Sequence, residues 1–280
     1  MQLHSINTGH FKLDGGAMFG VVPKSLWQKN YPVDENNMSP WAMRCLLVEE
    51  GNRLVLIDNG MGNKQDAKFF SHYFMHGDDT LDKSLKNAGF HRDDITDVFL
   101  THLHFDHCGG SIEWDNAKSG FRPAFKNATY WSNAEHWKWA TEPNPRERAS
   151  FLKENIIPIQ ESGQLKFLEE DTLFDGFSVE RMFGHTESMM LPVLTVNDRK
   201  VMFMADLLPS PVHVPIAWVM AYDTRPLITM SEKAEVLKRC VEEDRVLFFE
   251  HDYATECATL EQTEKGIRVE SVFSLKDIFK

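Results

Sequence analysis

Residues 102–110 read HLHFDHCGG, and the meaning of this stretch decides the fold. Its imidazoles and carboxylate fall between His102 and His107, and Gly109 and Gly110 follow. Such a run makes a poor core, because every buried imidazole needs a polar partner. It suits a metal site. On a strand, residues two apart share a face, so His102 and His104 converge on one ion. Asp106 and His107 come next in a turn, where the alternation ends and both aim at a second point. The glycines allow tight backbone packing there. Zn²⁺ takes imidazole nitrogen and carboxylate oxygen at about 2.0–2.2 Å, and four ligands from one short segment would leave a single tetrahedral ion no catalytic opening. Two ions are the natural expectation, and they need more ligands. His185 in MFGHTES, Asp206 in VMFMADLL and His251 in LFFEHDY each follow an apolar β-like run, and Asp206 is placed to bridge the pair.

The surrounding pattern supports an α/β chain. ITDVFLTH (95–102) is a β-rich run that delivers the cluster at its carboxyl end, where open α/β architectures keep their sites. AMRCLLVEE (42–50) and RLVLIDNG (53–60) read as strands joined at Glu50, Gly51 and Asn52. LDKSLKNAGF (81–90) reads as a helix ending at Gly89. The segment from Tyr130 to about Leu165 is expected to be helical, first over SNAEHWKWA and then over PRERASFLKENI, with Pro145 in a first turn. FSVERMF (177–183), LPVLTV (191–196), KVMFMADLL (200–208) and RVLFFEH (245–251) read as strands. SEKAEVLKRCVEED (231–244) is an amphipathic helix, with Ser231 as N-cap and Ala234, Leu237 and Val241 on one face. No repeat, low-complexity tract or linker interrupts this order, so one layered α/β domain over residues 1–280 is expected.

Composition narrows the function classes. The 280 residues are 42% apolar with 20 Phe, enough for a sizeable core. Lys and Arg number 30 against 42 Asp and Glu, a net charge of −12. That balance argues against nucleic acid or an anionic membrane as partner, since phosphate binding needs clustered cations. Cys45, Cys108, Cys240 and Cys257 are scattered and read as reduced thiols. The N-terminus MQLHSINTGHFKLDGG shows no basic and then apolar signal, and no apolar run reaches the roughly 20 residues of a membrane span. A cytoplasmic protein is expected.

HLHFDH resembles the H-x-H-x-D-H signature of the metallo-β-lactamase-fold hydrolases, and GHTES is similar to their G-H-T-x-G element. Asp206 and His251 match the later bridging Asp and terminal His, so the resemblance spans about residues 42–251. It implies an αβ/βα four-layer sandwich, two mixed β-sheets flanked by helices with a dinuclear site at one edge. It also implies that His102, His104 and His185 hold one zinc, that Asp106, His107 and His251 hold the other, and that Asp206 bridges. His104 stands where the family's di-iron redox branch has Glu, which favours hydrolysis. Asp206 stands where one true β-lactamase class has Cys, which disfavours antibiotic hydrolysis. One departure is Ser188 in place of the usual Gly, which bears on the shape of that loop and on no ligand.

DGGAMFGVVPKSLW (14–27) resembles the N-terminal segment of the branch that contains quorum-quenching acyl-homoserine-lactone lactonases. Within residues 1–41, expected to be an N-terminal extension or loop, Gly15 and Gly16 invite a turn. Met18, Phe19 and Trp27 either line an apolar acyl-chain groove or pack as core or homodimer contact. Some lactonases of this fold carry a Tyr three residues after the bridging Asp; here that position is Pro209. Tyr222 is the candidate hydroxyl if its loop folds back, and His213 is a weaker one. Asp58, at the end of LVLID, either orients a ligating His or is a plain turn residue.

The expected activity is that of a di-zinc hydrolase, with Mn, Co or Fe as other occupants of the same N/O ligands. A hydroxide held between the ions attacks a carbonyl, and Asp106 orients it and later hands a proton to the leaving alkoxide. The expected substrate is a small lactone or ester with an apolar chain, acyl-homoserine lactones first. The competing readings are a phosphoester or organophosphate hydrolase on the same site and a non-catalytic sensor of an apolar ligand.

Overall fold

The computed structural model describes residues 1–278. The chain forms two compact units, residues 1–9 with 43–173 and residues 10–42 with 174 onward.

The first half of the chain supplies strands β1 (Gln2–Asp14), β2 (Met38–Glu50), β3 (Arg53–Ile57), β4 (Asp97–Phe99), β5 (Ile112–Trp114), β6 (Phe121–Pro123), β7 (Thr129–Ser132) and β8 (Leu165–Phe167). One mixed sheet runs in the order β1-β2-β3-β4-β7-β8, and β5 and β6 pair separately. The expected hairpin joins β2 to β3 antiparallel, with Gly51 at φ +59°. From β3 onward the pairs β3-β4, β4-β7 and β7-β8 are parallel. Parallel neighbours need crossovers, and helices provide them. The helix Leu81–Asn87 lies between β3 and β4; Ala134–Thr141 and Lys153–Glu161 lie between β7 and β8. Leu85, Ile156 and Ile159 join Leu47, Leu56 and Val98 in the buried core of this unit.

Two expectations change here. Residues 145–150 form turns rather than a helix around Pro145. Asn144 is the reason: its Oδ1 accepts from the backbone N–H groups of Arg146 at 2.9 Å and Glu147 at 3.2 Å, closing the chain into an Asx turn. Glu147 is thereby buried, and its Oε2 accepts from Trp139 Nε1 at 2.7 Å. The N-terminal extension is not a loop either. It begins with the long strand β1, and Gly15 opens a short helix, Gly15–Phe19, whose first turn Asp14 caps at Ala17 N.

The second unit holds a seven-stranded sheet in the order β15-β14-β13-β12-β11-β10-β9, made of β9 (Thr172–Phe174), β10 (Phe177–Met182), β11 (Met189–Val196), β12 (Arg199–Phe203), β13 (Val246–Phe248), β14 (Cys257–Thr263) and β15 (Gly266–Phe273). The hairpin β14-β15 extends the sheet beyond the last strand anticipated. β10, β11 and β12 form an antiparallel meander and β12 pairs parallel with β13, so β10, β12 and β13 all point the same way. The crossover from β12 to β13 is the helix Pro226–Glu242. It starts five residues before Ser231, because Pro226 presets φ for a first turn, and its buried stripe is Thr229, Lys233, Val236, Leu237 and Cys240.

Met18, Phe19 and Trp27 are core residues of this unit, each no more than 2% exposed. Phe19 stacks on Trp27 at 4.8 Å and on His213 at 4.6 Å. His213 Nε2 donates to Met18 O at 2.9 Å, and its Nδ1 accepts from Ser210 Oγ at 2.7 Å. His213 therefore locks the N-terminal segment down as a neutral imidazole. The four cysteines are buried and form no disulfide. Among the described residues no helix is long and apolar enough to cross a membrane.

Burial pushes the His213 imidazole down from 6.5 to about 3. A group depressed in the folded state stabilises above its unfolded value and loses that contribution on acidification. Stability should fall as pH drops from 6.5 toward 3, by up to a few kcal/mol from this residue. Chemical denaturation at stepped pH should show a shallower slope in His213→Gln; an unchanged slope would remove His213 as the cause.

Candidate metal centre

In the first unit the parallel strands β3 and β4 both run out into polar turns. Asp58 follows β3 directly, is fully buried and sits at φ +56°. Its Oδ1 accepts from Thr101 N at 2.8 Å and its Oδ2 from Thr101 Oγ1 at 2.7 Å. Thr101 Oγ1 in turn accepts from His102 Nδ1 at 3.0 Å. His107 Nδ1 donates to the same Asp58 Oδ2 at 3.1 Å. One carboxylate thus fixes two rings, with Nδ1 protonated in each and the Nε2 lone pair left for another partner. Asp58 thus bonds one candidate ligand ring directly and a second through Thr101.

His102 Nε2 lies 3.1 Å from His104 Nδ1, while His104 Nε2 faces Glu147 Oε1 at 3.5 Å. Donors about 2.05 Å from a tetrahedral ion stand about 3.3 Å apart, so the His102–His104 spacing is that of two ligands on one cation. Asp106 Oδ1 is 3.9 Å from His107 Nε2. The glycines behave as expected: a Cβ on Gly109 would sit 2.2 Å from Met61 O, and one on Gly110 would sit 2.3 Å from Asn59 O. Lys64 Nζ donates to Gly109 O, and His136 Nε2 accepts from Leu103 N at 2.8 Å, between the two ligand candidates. Cys108 contacts Leu103 O and takes no part.

In the second unit the carboxyl ends of β10, β12 and β13 lie on one edge of the sheet and lead to His185, Asp206 and His251. Asp206 is the hub. Its Oδ2 is 3.0 Å from His185 Nε2 and its Oδ1 is 3.0 Å from His251 Nε2. The opposite nitrogens are already used: His185 Nδ1 pairs with Asp223 Oδ1 at 3.0 Å, and His251 Nδ1 donates to Ala42 O at 2.9 Å. A neutral ring has one N–H, and here it is spent on the outer partner. Each inner nitrogen would then present a lone pair to a carboxylate oxygen, which is repulsive unless a cation lies between. Burial alone would lower the His185 imidazole, but Asp206 and Asp223 overcome it and raise it to about 10. The same negative field that holds a proton there suits a metal ion. N and O donors of this kind, buried and oriented from behind, fit Zn²⁺ or a neighbouring divalent metal.

Left-handed residues occur at two of these turns. Ala205, immediately before Asp206, has φ +39°, and Ser188 has φ +53°. Ser188 thus adopts the left-handed conformation that the usual Gly reaches without cost, so the departure from the motif leaves the loop shape intact at about 1–2 kcal/mol. Asp223, Glu147 and His136 were not singled out in the sequence; the rule that a ligating His has a polar partner on its other nitrogen would have prompted a search for them. Tyr222 is 40% exposed and directly precedes Asp223.

Comparison with known proteins bears on this chemistry. The model of the metallo-beta-lactamase superfamily matches residues 40–251. An N-acyl homoserine lactonase of Bacillus thuringiensis is 27% identical over 132 residues, 44% of this chain and 45% of that protein. The aligned stretch therefore spans less than half the length of that relative. A second N-acyl homoserine lactonase, from a Bacillus species, is 24% identical over 76% of this chain and 82% of its own. Among solved structures, a probable metal-dependent hydrolase from Staphylococcus aureus superposes with a TM-score of 0.88 at 27% identity, covering 97% of this chain and 96% of that one. The dizinc quorum-quenching lactonase AidC, in complex with a product, superposes with a TM-score of 0.79 at 23% identity, covering 97% and 95%, and so shares the fold.

A chelator in excess should lower the melting temperature, and readded Zn²⁺ should restore it, because a ligand at 100 times its Kd adds about 2.7 kcal/mol. Asp58→Ala, which releases two rings at once, should weaken zinc binding about 10- to 100-fold in competition with a chromogenic chelator. Zinc affinity equal to wild type in that variant would contradict the orienting role of Asp58.

Proposed function

The chain belongs to the metallo-beta-lactamase superfamily, and on that premise we propose that it is a dinuclear metallohydrolase that opens lactones, acyl-homoserine lactones first. By the family resemblance, His102, His104 and His185 would hold one ion, Asp106, His107 and His251 would hold the other, and Asp206 would be shared. The observation that carries this reading is Asp206 with an inward-facing imidazole nitrogen 3.0 Å from each of its oxygens. Zinc is the assigned metal, supported by the all-N/O donor set and by the dizinc lactonase that shares the fold.

When bound, two such ions supply Lewis-acid polarisation of a carbonyl and acidification of water to a pKa of about 7. The protein's own groups do the rest. Asp106 orients the attacking water through one carboxylate oxygen, accepts its proton, and returns that proton to the ring oxygen as the acyl C–O bond breaks. Tyr222 donates its hydroxyl to the substrate carbonyl or to the alcohol oxygen that leaves. Asp58, Glu147 and Asp223 hold the imidazoles in one tautomer throughout. In a lactone the leaving alkoxide stays tethered, so the product is one hydroxy acid and the net change is addition of water.

The lactonase relatives support the substrate class, and the acidic chain argues for a small molecule over a polyanion. The zinc-loaded protein should release acid from an acyl-homoserine lactone series faster than nitrophenol from an aryl phosphodiester. Asp206→Ala should abolish turnover. Tyr222→Phe should lower kcat/KM about 10-fold, the scale of one lost transition-state hydrogen bond to a developing charge. Faster phosphodiester cleavage would make the protein a phosphoesterase; saturable lactone binding without turnover would make it a sensor.

A further inference from the structure

The helix Pro226–Glu242 carries two adjacent residues of opposite charge, and each holds a different loop of the second unit. Glu232 Oε1 accepts from Phe183 N at 2.6 Å and its Oε2 from Gly184 N at 3.0 Å. Both oxygens therefore grip the turn immediately before His185. Lys233 is fully buried, and its Nζ donates to the carbonyls of His213 at 2.9 Å, Pro215 at 3.0 Å and Trp218 at 2.8 Å. An ammonium has three donors, so this one is saturated by a single loop. That loop runs on to Asp223, whose Oδ2 accepts from Met220 N at 3.0 Å and whose Oδ1 meets His185 Nδ1 at 3.0 Å. The two loops also touch directly, through Thr224 N to His185 O and Arg225 N to Gly184 O.

Burying an ammonium against neutral carbonyls is costly, and an apolar side chain would fill a helix position that faces the core at lower cost. The price is intelligible if the loop must be held in one place. Adjacent side chains on a helix diverge by about 100°, which lets Glu232 and Lys233 reach loops on either side. We propose that Glu232 and Lys233 form a two-loop clamp, positioning residues that set the His185–Asp223 contact and through it the affinity of His185 for metal. This rests on His185 being a ligand. Because both side chains act on the same contact, releasing either loop removes most of the effect, and the two losses do not multiply.

The test compares zinc affinity, by competition with a chromogenic chelator, in wild type, Glu232→Gln, Lys233→Met, the double variant and Val236→Ala. Val236 lies in the buried stripe of the same helix and makes none of these hydrogen bonds, so its truncation should lower the melting temperature and leave zinc affinity at wild type. Each clamp variant should bind zinc roughly 10-fold more weakly, and the double variant about as weakly as the worse single. A second readout needs no metal: the His185 Nδ1 proton resonance of the chelated protein, sheltered by Asp223, should be seen in wild type and Val236→Ala and lost to exchange in the clamp variants. Zinc affinity within twofold of wild type in folded clamp variants, multiplicative losses in the double, or a retained resonance overturns the clamp. Should Lys233→Met fail to fold, Glu232→Gln and Lys233→Arg carry the same comparison. A wild-type protein that binds no zinc removes His185 as a ligand, and the resonance then decides the clamp by itself.

Discussion

A carboxylate buried between two imidazoles is the constraint on which the second unit is built. Asp206 meets His185 through one oxygen and His251 through the other, at 3.0 Å each. Both rings spend their N–H on outer partners, so positive charge must enter between ring and carboxylate. Unpaired, such a group would cost several kcal/mol of desolvation. Divalent cations answer that demand more completely than protons do, because one between each ring and the shared carboxylate would satisfy all three groups and needs no N–H from either ring.

The fold meets this constraint by strand direction. β10, β12 and β13 are parallel to one another, so their carboxyl ends bring residues 185, 206 and 251 to one edge although they are far apart in sequence. β3 and β4 do the same for Asp58 and the His102 segment. The turns that leave these strands carry left-handed residues at Asp58, Ser188 and Ala205. Strain of that kind persists only where the surroundings over-determine it, and it clusters at sites where a side chain must be aimed.

The parts of this arrangement that were legible in the sequence are those encoded locally. The spacing of His102, His104, Asp106 and His107 showed a donor cluster, and apolar runs before His185, Asp206 and His251 marked strand ends. Gly51 marked the β2-β3 turn. The parts that were not legible depend on partners distant in sequence. Asp223 matters because it meets His185 across 38 positions, and Glu232 because it meets Gly184 across 48. Local signals also misled where a competing one was stronger. Asn144 closes an Asx turn that overrides the helix expected after Pro145, and Pro226 starts a helix earlier than Ser231 suggested. Met18, Phe19 and Trp27 show that apolar residues in an N-terminal segment can be core, since Phe19 is sandwiched between Trp27 and His213.

Anomalous diffraction from crystals of the zinc-loaded protein, recorded above and below the zinc edge, tests the dinuclear reading most directly. Two peaks are expected, one within bonding distance of His102, His104 and His185 and one within bonding distance of Asp106, His107 and His251, with an oxygen of Asp206 on each. No peak, a single peak, or peaks that leave Asp206 uncoordinated would contradict it.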